Sequence, residues 1–286
     1  MTTAENWLDR TREDPLEPEL PIIDPHHHFW NRPRNRYILD ELLADLAGQN
    51  VRQTVFVECS SMYRAAGPEE FRVVGETEWV QEIAAQSASG GFGELPNQPA
   101  SQPSHLLLDP VFRRGFAYLR VNGLSFEAWL YHPQLPELAD LARAFPETVI
   151  ILNHLGGPLG VGSYRGKRDE VFARWKTDLA TVAACRNVVM KVGGIQMAIN
   201  GYGWHERERP PTSDELLAAN RDWYLYAIEQ FGPERCMFES NFPPDKVGYG
   251  YNVMYNAFKR LSANYSASER AAMFHDTATR VYRPLV

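Results

Sequence analysis

The chain has 286 residues, 44% of them hydrophobic, and a formal charge of -7 at pH 7. That length can bury a sizeable core, while the acidic balance and dispersed basic residues argue against nucleic acid as a partner. Cys59, Cys185 and Cys236 stand far apart with no CxxC pairing, which suits a reducing compartment and argues against a thiolate zinc site. The first ten residues lack the apolar core of a signal peptide, and no stretch approaches the roughly 20 apolar residues of a membrane span. The expectation is therefore a soluble, cytoplasmic protein with a small-molecule substrate and no membrane partner. Assembly into a homo-oligomer stays open.

Taken in chain order, short β-branched runs alternate with longer helical patterns. Strands are expected at 21–28, 52–58, 124–130, 148–154, 187–192 and 235–240. Helices are expected near 37–49, 75–88, 109–121, 135–145, 168–184, 213–231, 253–262 and 268–282. Runs such as Val149-Ile150-Ile151-Leu152 are apolar on both faces, as in a parallel sheet covered by helices. This alternation predicts a single α/β domain over 1–286 with a TIM-like (β/α) barrel. No GxGxxG or Walker loop supports a dinucleotide-binding sheet instead. The segment 87–104 is rich in Gly, Pro and Ser and breaks the rhythm as an irregular connection.

The most informative stretch is Ile22-Ile23-Asp24-Pro25-His26-His27-His28-Phe29-Trp30. On a strand, Asp24, His26 and His28 would share one face and His27 the other. Two imidazoles at i and i+2 can converge on one metal ion or one substrate oxygen. Reactive residues also end the other apolar runs: Glu58, His132, Asn153 and His154, Lys191, then Glu239 and Asn241. In a (β/α) barrel, that edge carries the chemistry.

Three segments taken together resemble the amidohydrolase superfamily, in its amidohydrolase-related (family 2) group of TIM-barrel hydrolases. They are Ile23-Asp24-Pro25-His26-His27-His28-Phe29-Trp30, Val149-Ile150-Ile151-Leu152-Asn153-His154-Leu155-Gly156-Gly157-Pro158, and Arg235-Cys236-Met237-Phe238-Glu239-Ser240-Asn241-Phe242-Pro243. The tail from Phe274 to Tyr282 is similar to the family's closing helix. The resemblance implies a lactonase-like enzyme; the group also contains 2-pyrone-4,6-dicarboxylate lactonase-like enzymes and decarboxylases. Two departures stand out. The group's usual Gly-Ser-Asp-Trp-Pro places a general base or metal ligand where this chain has Asn241, and an amide cannot take up a proton usefully. Six strands are legible against the family's eight, so an incomplete barrel is expected, with strands three and four missing.

The metal-ligand candidates are His26, His28, His154 and Glu58, for one divalent ion such as zinc or manganese. Glu239, Asn241, Asp245 and His132 are catalytic candidates, with Gln134 an alternative to His132 in the family resemblance. Trp30, Lys191 and His205 are candidates for substrate contact; Lys191 could hold an anion or pair with Glu239. The leading functional expectation is a hydrolase that opens a lactone or cyclic ester by activated water. The alternatives are a metal-dependent decarboxylase of a small aromatic acid, or a catalytically impaired member of the family.

Overall fold

The computed structural model describes residues 6–32, 35–87 and 105–283. Strand β1 (Ile22–His27) is buried along its whole length and pairs in parallel with β4 (Val51–Phe56). A second parallel sheet runs in the order β5 (Phe126–Ala128), β6 (Ile150–Leu152), β7 (Val188–Val192) and β8 (Cys236–Phe238). The two sheets meet where β1 lies alongside the segment that follows β8. There His28 N donates to the Phe242 carbonyl at 2.8 Å, and Asn241 N donates to the His26 carbonyl at 2.9 Å. The spatial order is thus β4-β1-β8-β7-β6-β5, six parallel strands among the described residues. All six expected strands are present, mostly one or two residues shorter at their ends.

Side chains alternate across this sheet. Ile23, Ile151, Val189 and Met237 pack inside the curve of the sheet, and Ala278 and Tyr282 of the C-terminal helix (Thr277–Tyr282) close on them. Ile22, Ile150, Leu152, Val188 and Met190 face the outer helices. In that outer layer, Trp175 of the helix Arg168–Ala183 is fully buried and donates its indole N–H to the Leu155 carbonyl at 2.7 Å. Local chemistry sets the helix ends. Thr212 and Glu215 form a capping box at the start of Ser213–Phe231. Asp109 caps Pro110–Val121 with proline at its first turn.

Two features depart from the sequence reading. Strands β2 (Trp30–Arg32) and β3 (Asn35–Tyr37) form an antiparallel hairpin that sequence pattern did not indicate. The predicted last helix, 268–282, is interrupted by a π-helical turn at Ala272–Asp276. Between Phe56 and Phe126 the described residues form helices Val74–Ser87 and Pro110–Val121 and no strand. Residues 88–104, most of the expected irregular connection, lie outside the described residues. Among the described residues, β4 and β5 each pair on one side only.

Candidate active site

The site is built where β1 loses its pairing register between Asp24 and His27. Pro25 has no N–H to contribute to the ladder there. The register shift corrects the expected face pattern. Ile23 points inward, the next inward side chain is His26, and Asp24 turns to the outer side. Asp24 Oδ1 accepts from Ser240 N at 3.0 Å and His26 N at 3.2 Å, while Oδ2 accepts from the Tyr251 hydroxyl at 3.0 Å. Asp24 is therefore a bracket joining β1 to the end of β8. His27 packs against Phe29 and Phe56 as expected, on the side away from the site.

His26 is the hub. Its Nε2 lies 3.1 Å from His28 Nε2, and its Nδ1 lies 3.0 Å from Glu239 Oε2 and 3.2 Å from Lys191 Nζ. Glu239 Oε1 in turn accepts from the Nδ1 and the backbone N of His154, at 2.8 and 3.2 Å. His28 Nδ1 donates to the Val57 carbonyl at 2.7 Å. His26, His154 and Glu239 bring ligand-type atoms within 4.8 Å of one another, and all three are buried. His28 joins them through His26.

Electrostatics follow from this burial. Burial pushes the imidazoles of His26 and His28 down, His28 to about 4, so both are neutral near pH 7. Burial alone would raise Glu239, but the adjacent His154 and His26 outweigh it and hold the carboxylate well below its usual range. The ring of His26 is offered a donor (Lys191) and an acceptor (Glu239) at the same nitrogen. If Lys191 donates, the proton sits on Nε2 and bridges to His28. If Glu239 accepts, Nε2 of both rings is bare, and two lone pairs face each other at 3.1 Å. A cation satisfies that second arrangement. Neutral imidazoles, each oriented through Nδ1 by a carboxylate or carbonyl, are the donor set that borderline divalent ions take.

Among the described residues, both amide atoms of the buried Asn153 have no protein partner, and the buried Asp245 carboxylate is met only by the Tyr249 hydroxyl and the Asn241 amide. Asn153 is extended and two residues beyond the inward Ile151, so it faces the same interior. Such unsatisfied groups carry a cost of about 1–3 kcal/mol each unless a ligand, ion or water meets them. Asp245 sits one turn after Asn241, whose carbonyl accepts from its N–H at 3.1 Å. Burial raises its carboxyl to about 7, opposed by the Tyr249 hydroxyl and the His154 ring.

Glycines open the space. The backbone of His154 and Leu155 is left-handed, as is that of Gly156 and Gly157. A Cβ on Gly194 would fall 2.1 Å from His154 Nδ1, and one on Gly193 would fall 2.5 Å from the Glu239 carbonyl oxygen. We expect Gly194→Ala to displace the His154 ring and lower turnover by about 10²-fold while the protein stays folded. Kinetics beside a circular dichroism melt check this; full activity in a folded variant would mean that the ring has room elsewhere.

The remaining expectations fare as follows. Lys191 is fully buried beneath His26, and its ion pair is with Glu127 at 3.0 Å rather than with Glu239. Glu127 also accepts from the Tyr282 hydroxyl. Of the four histidines that end or follow apolar runs, His26, His28 and His154 gather in one place and His132 does not. His132 opens a 3-10 turn, its Nδ1 accepts from Leu159 N, and it lines a separate cavity with Tyr164, Lys167 and Arg174. Proline at the next position drives the chain outward there. Gln134 bonds the Tyr131 backbone. Glu58 accepts from Ser60 N and the Tyr63 hydroxyl, with Oε2 buried and unpartnered, and is not among the ligand atoms clustered around His26. Asn241 has left-handed backbone and its amide contacts Met197 Sδ at 3.5 Å, so the face it would share with Glu239 ends with the strand. Trp30 lies in the hairpin under the Arg32 guanidinium, and His205 lies on the exposed turn Trp204–Glu206. Asn153 stood among the residues ending apolar runs but received no role, and Glu127 went unselected; the signal was there for Glu127, a lone acid between apolar neighbours, as it was for Glu58.

The family profile described as Amidohydrolase matches residues 77–283. The chain belongs to the amidohydrolase family. An uncharacterised protein of Sinorhizobium fredii is 29% identical over 321 aligned positions, covering 93% of this chain and 99% of that protein. An L-fucono-1,5-lactonase of Burkholderia multivorans is 29% identical over 175 positions, covering 61% of this chain and 56% of the relative. Among solved structures, a zinc-bound amidohydrolase from Burkholderia multivorans superposes with a TM-score of 0.72 at 22% identity, covering 92% of this amidohydrolase and 99% of that chain. That likeness is one of fold, a TIM-barrel-like α/β architecture.

Proposed function

We propose that this amidohydrolase is a metal-dependent hydrolase that opens a lactone of a sugar acid or an aromatic catabolite. The observation that carries the reading is the orientation of His26 and His154 by one buried carboxylate, Glu239, with His28 against His26. The lactonase names of relatives support the ester class. His26, His28 and His154 would hold the ion; Glu58 stays outside the cluster and is not assigned to it. A divalent ion bound there supplies polarisation of the lactone carbonyl and acidification of water.

The chain's own residues divide the remaining work. Glu239 keeps the proton of His154 on Nδ1, so Nε2 is free to ligate. Lys191, fixed by Glu127, supports His26 from below. Asp245 takes a proton from water in place of the absent Asp at position 241, because a carboxyl near 7 matches a base working at neutral pH. The Asn153 amide, otherwise unpartnered, donates to the substrate's ring or carbonyl oxygen.

We also read the barrel as short of strands three and four. The alignment to the Sinorhizobium relative is 321 positions long, more than this chain's 286 residues, which fits a segment missing here. The three unbonded cysteines fit a cytoplasmic setting. Product analysis tests the chemistry: with a panel of sugar-acid lactones, stoichiometric acid without carbon loss is expected. Carbon dioxide release from carboxylated phenols, with no lactone turned over, would replace hydrolysis by decarboxylation.

A further inference from the structure

A second cavity, of about 420 Å³, lies between the loops that follow β6 and β7 and the two helices behind them. Its walls include Leu159, Tyr164 and Ile195, and its polar end is built from Arg168, Tyr202 and Asn220. Among the described residues, no acidic side chain lines it. The Arg168 guanidinium stands over the rings of Tyr202 and Trp223, at 5.2 and 5.1 Å from their centroids. Its Nη2 donates to the Ala219 carbonyl and to Asn220 Oδ1, both at 2.8 Å. The Tyr202 hydroxyl donates to the same Asn220 oxygen at 2.7 Å.

Those two donors fix which end of the Asn220 amide is oxygen, so its Nδ2 is the end left over. Asn220 is 1% exposed, and Nδ2 has no partner among the described residues. Asn220 lines the cavity, and its buried N–H donor, left without an acceptor, is costly. A nearby cation without a carboxylate in the same cavity selects the sign of what would relieve it. The aliphatic and aromatic walls select an apolar body.

We infer that this cavity binds a small monocarboxylate with an apolar body, its oxygens received by Asn220 Nδ2 and Arg168, separately from the histidine cluster. The aromatic rings hold the guanidinium in place by cation–π contact and leave less of its ordering to be done on binding. The site does not depend on the hydrolase reading.

Benzoate is the probe, titrated calorimetrically into the full-length protein. Wild type and His28→Ala should bind it alike, one molecule per chain. Arg168→Met, at an exposed position, should weaken binding about tenfold or more, since a hydrogen bond to a charged group is lost. Benzamide should bind more weakly than benzoate. Absence of any benzoate heat at millimolar concentration would overturn the inference, as would equal binding by wild type and Arg168→Met. Loss of binding in His28→Ala would move the ligand to the histidine cluster and overturn it too. Circular dichroism of each variant accompanies the titration, and Arg168→Lys, which keeps the charge, should recover part of the affinity if the pocket itself is intact.

Discussion

Asp245→Asn is expected to lower turnover by about 10²- to 10⁴-fold while making the metal-stripped protein more stable at pH 8. The two effects have one origin. Burial raises the Asp245 carboxyl from its ordinary 3.8 to about 7, so the folded protein holds that proton more tightly than the unfolded chain does. Its stabilising contribution is therefore complete below about pH 3.8 and is lost as the pH rises through about 7. Above that, the ionised, buried carboxylate costs up to about 4 kcal/mol, by the usual conversion of a pKa shift of this size. The amide removes that cost, so the variant's gain in Tm should be largest at pH 8 and absent near pH 4. Zinc should shrink the gain in stability, because a cation near the histidines also stabilises the ionised carboxylate. A variant that keeps full turnover would remove Asp245 from the base's role, and a variant less stable than wild type at pH 8 would mean that the hydrogen bonds to the carboxylate outweigh its burial.

His26→Ala or His28→Ala should abolish turnover and bound zinc together, with the fold retained. The reason lies in the second contacts of each ring. Val57 and Glu239 engage Nδ1 of His28 and His154, and His26 Nδ1 is shared between Glu239 and Lys191. Losing one imidazole removes an oriented donor, and the outer partners are then left unpaired. Glu239→Gln should cost about 10- to 100-fold in metal affinity, since an amide holds two imidazole protons less well than a carboxylate. His27→Leu is the control: its ring packs on Phe29 and Phe56, and zinc content should not change. Metal content is read by atomic emission on dialysed protein. Equal zinc in His26→Ala and wild type would exclude the ring as a ligand.

The sequence made the parallel core legible because strands such as β6 and β7 are apolar on both faces, a pattern that few other arrangements tolerate. It made His26, His28 and His154 visible because each ends such a run. It could not reveal the register break at Pro25, which decides that His26 and not Asp24 faces inward; alternation is a rule for regular strands, and a bulge resets it. Nor could it tell His132 from His154. Both follow apolar runs, but His154 is followed by a left-handed turn and faced by Gly194, which lets its ring fold over Glu239. His132 is followed by proline and turns toward the helix Arg168–Ala183. The partner of Lys191 was hidden because Glu239, at the end of the neighbouring strand, is taken by His26 and His154, and Glu127 reaches Lys191 from two strands away. The hairpin at Trp30–Arg32 escaped because three-residue strands carry too little periodicity to read.

The most direct test is acid release from L-fucono-1,5-lactone and related sugar-acid lactones by wild-type protein, stripped with a chelator and then restored with zinc or manganese. The stripped protein should be inactive, one equivalent of metal per chain should restore turnover, and the restored rate should vanish in Asp245→Asn. Undiminished lactone hydrolysis by fully stripped protein would contradict the metal's part in the account. No lactone hydrolysis by protein carrying a full equivalent of metal would contradict its chemistry.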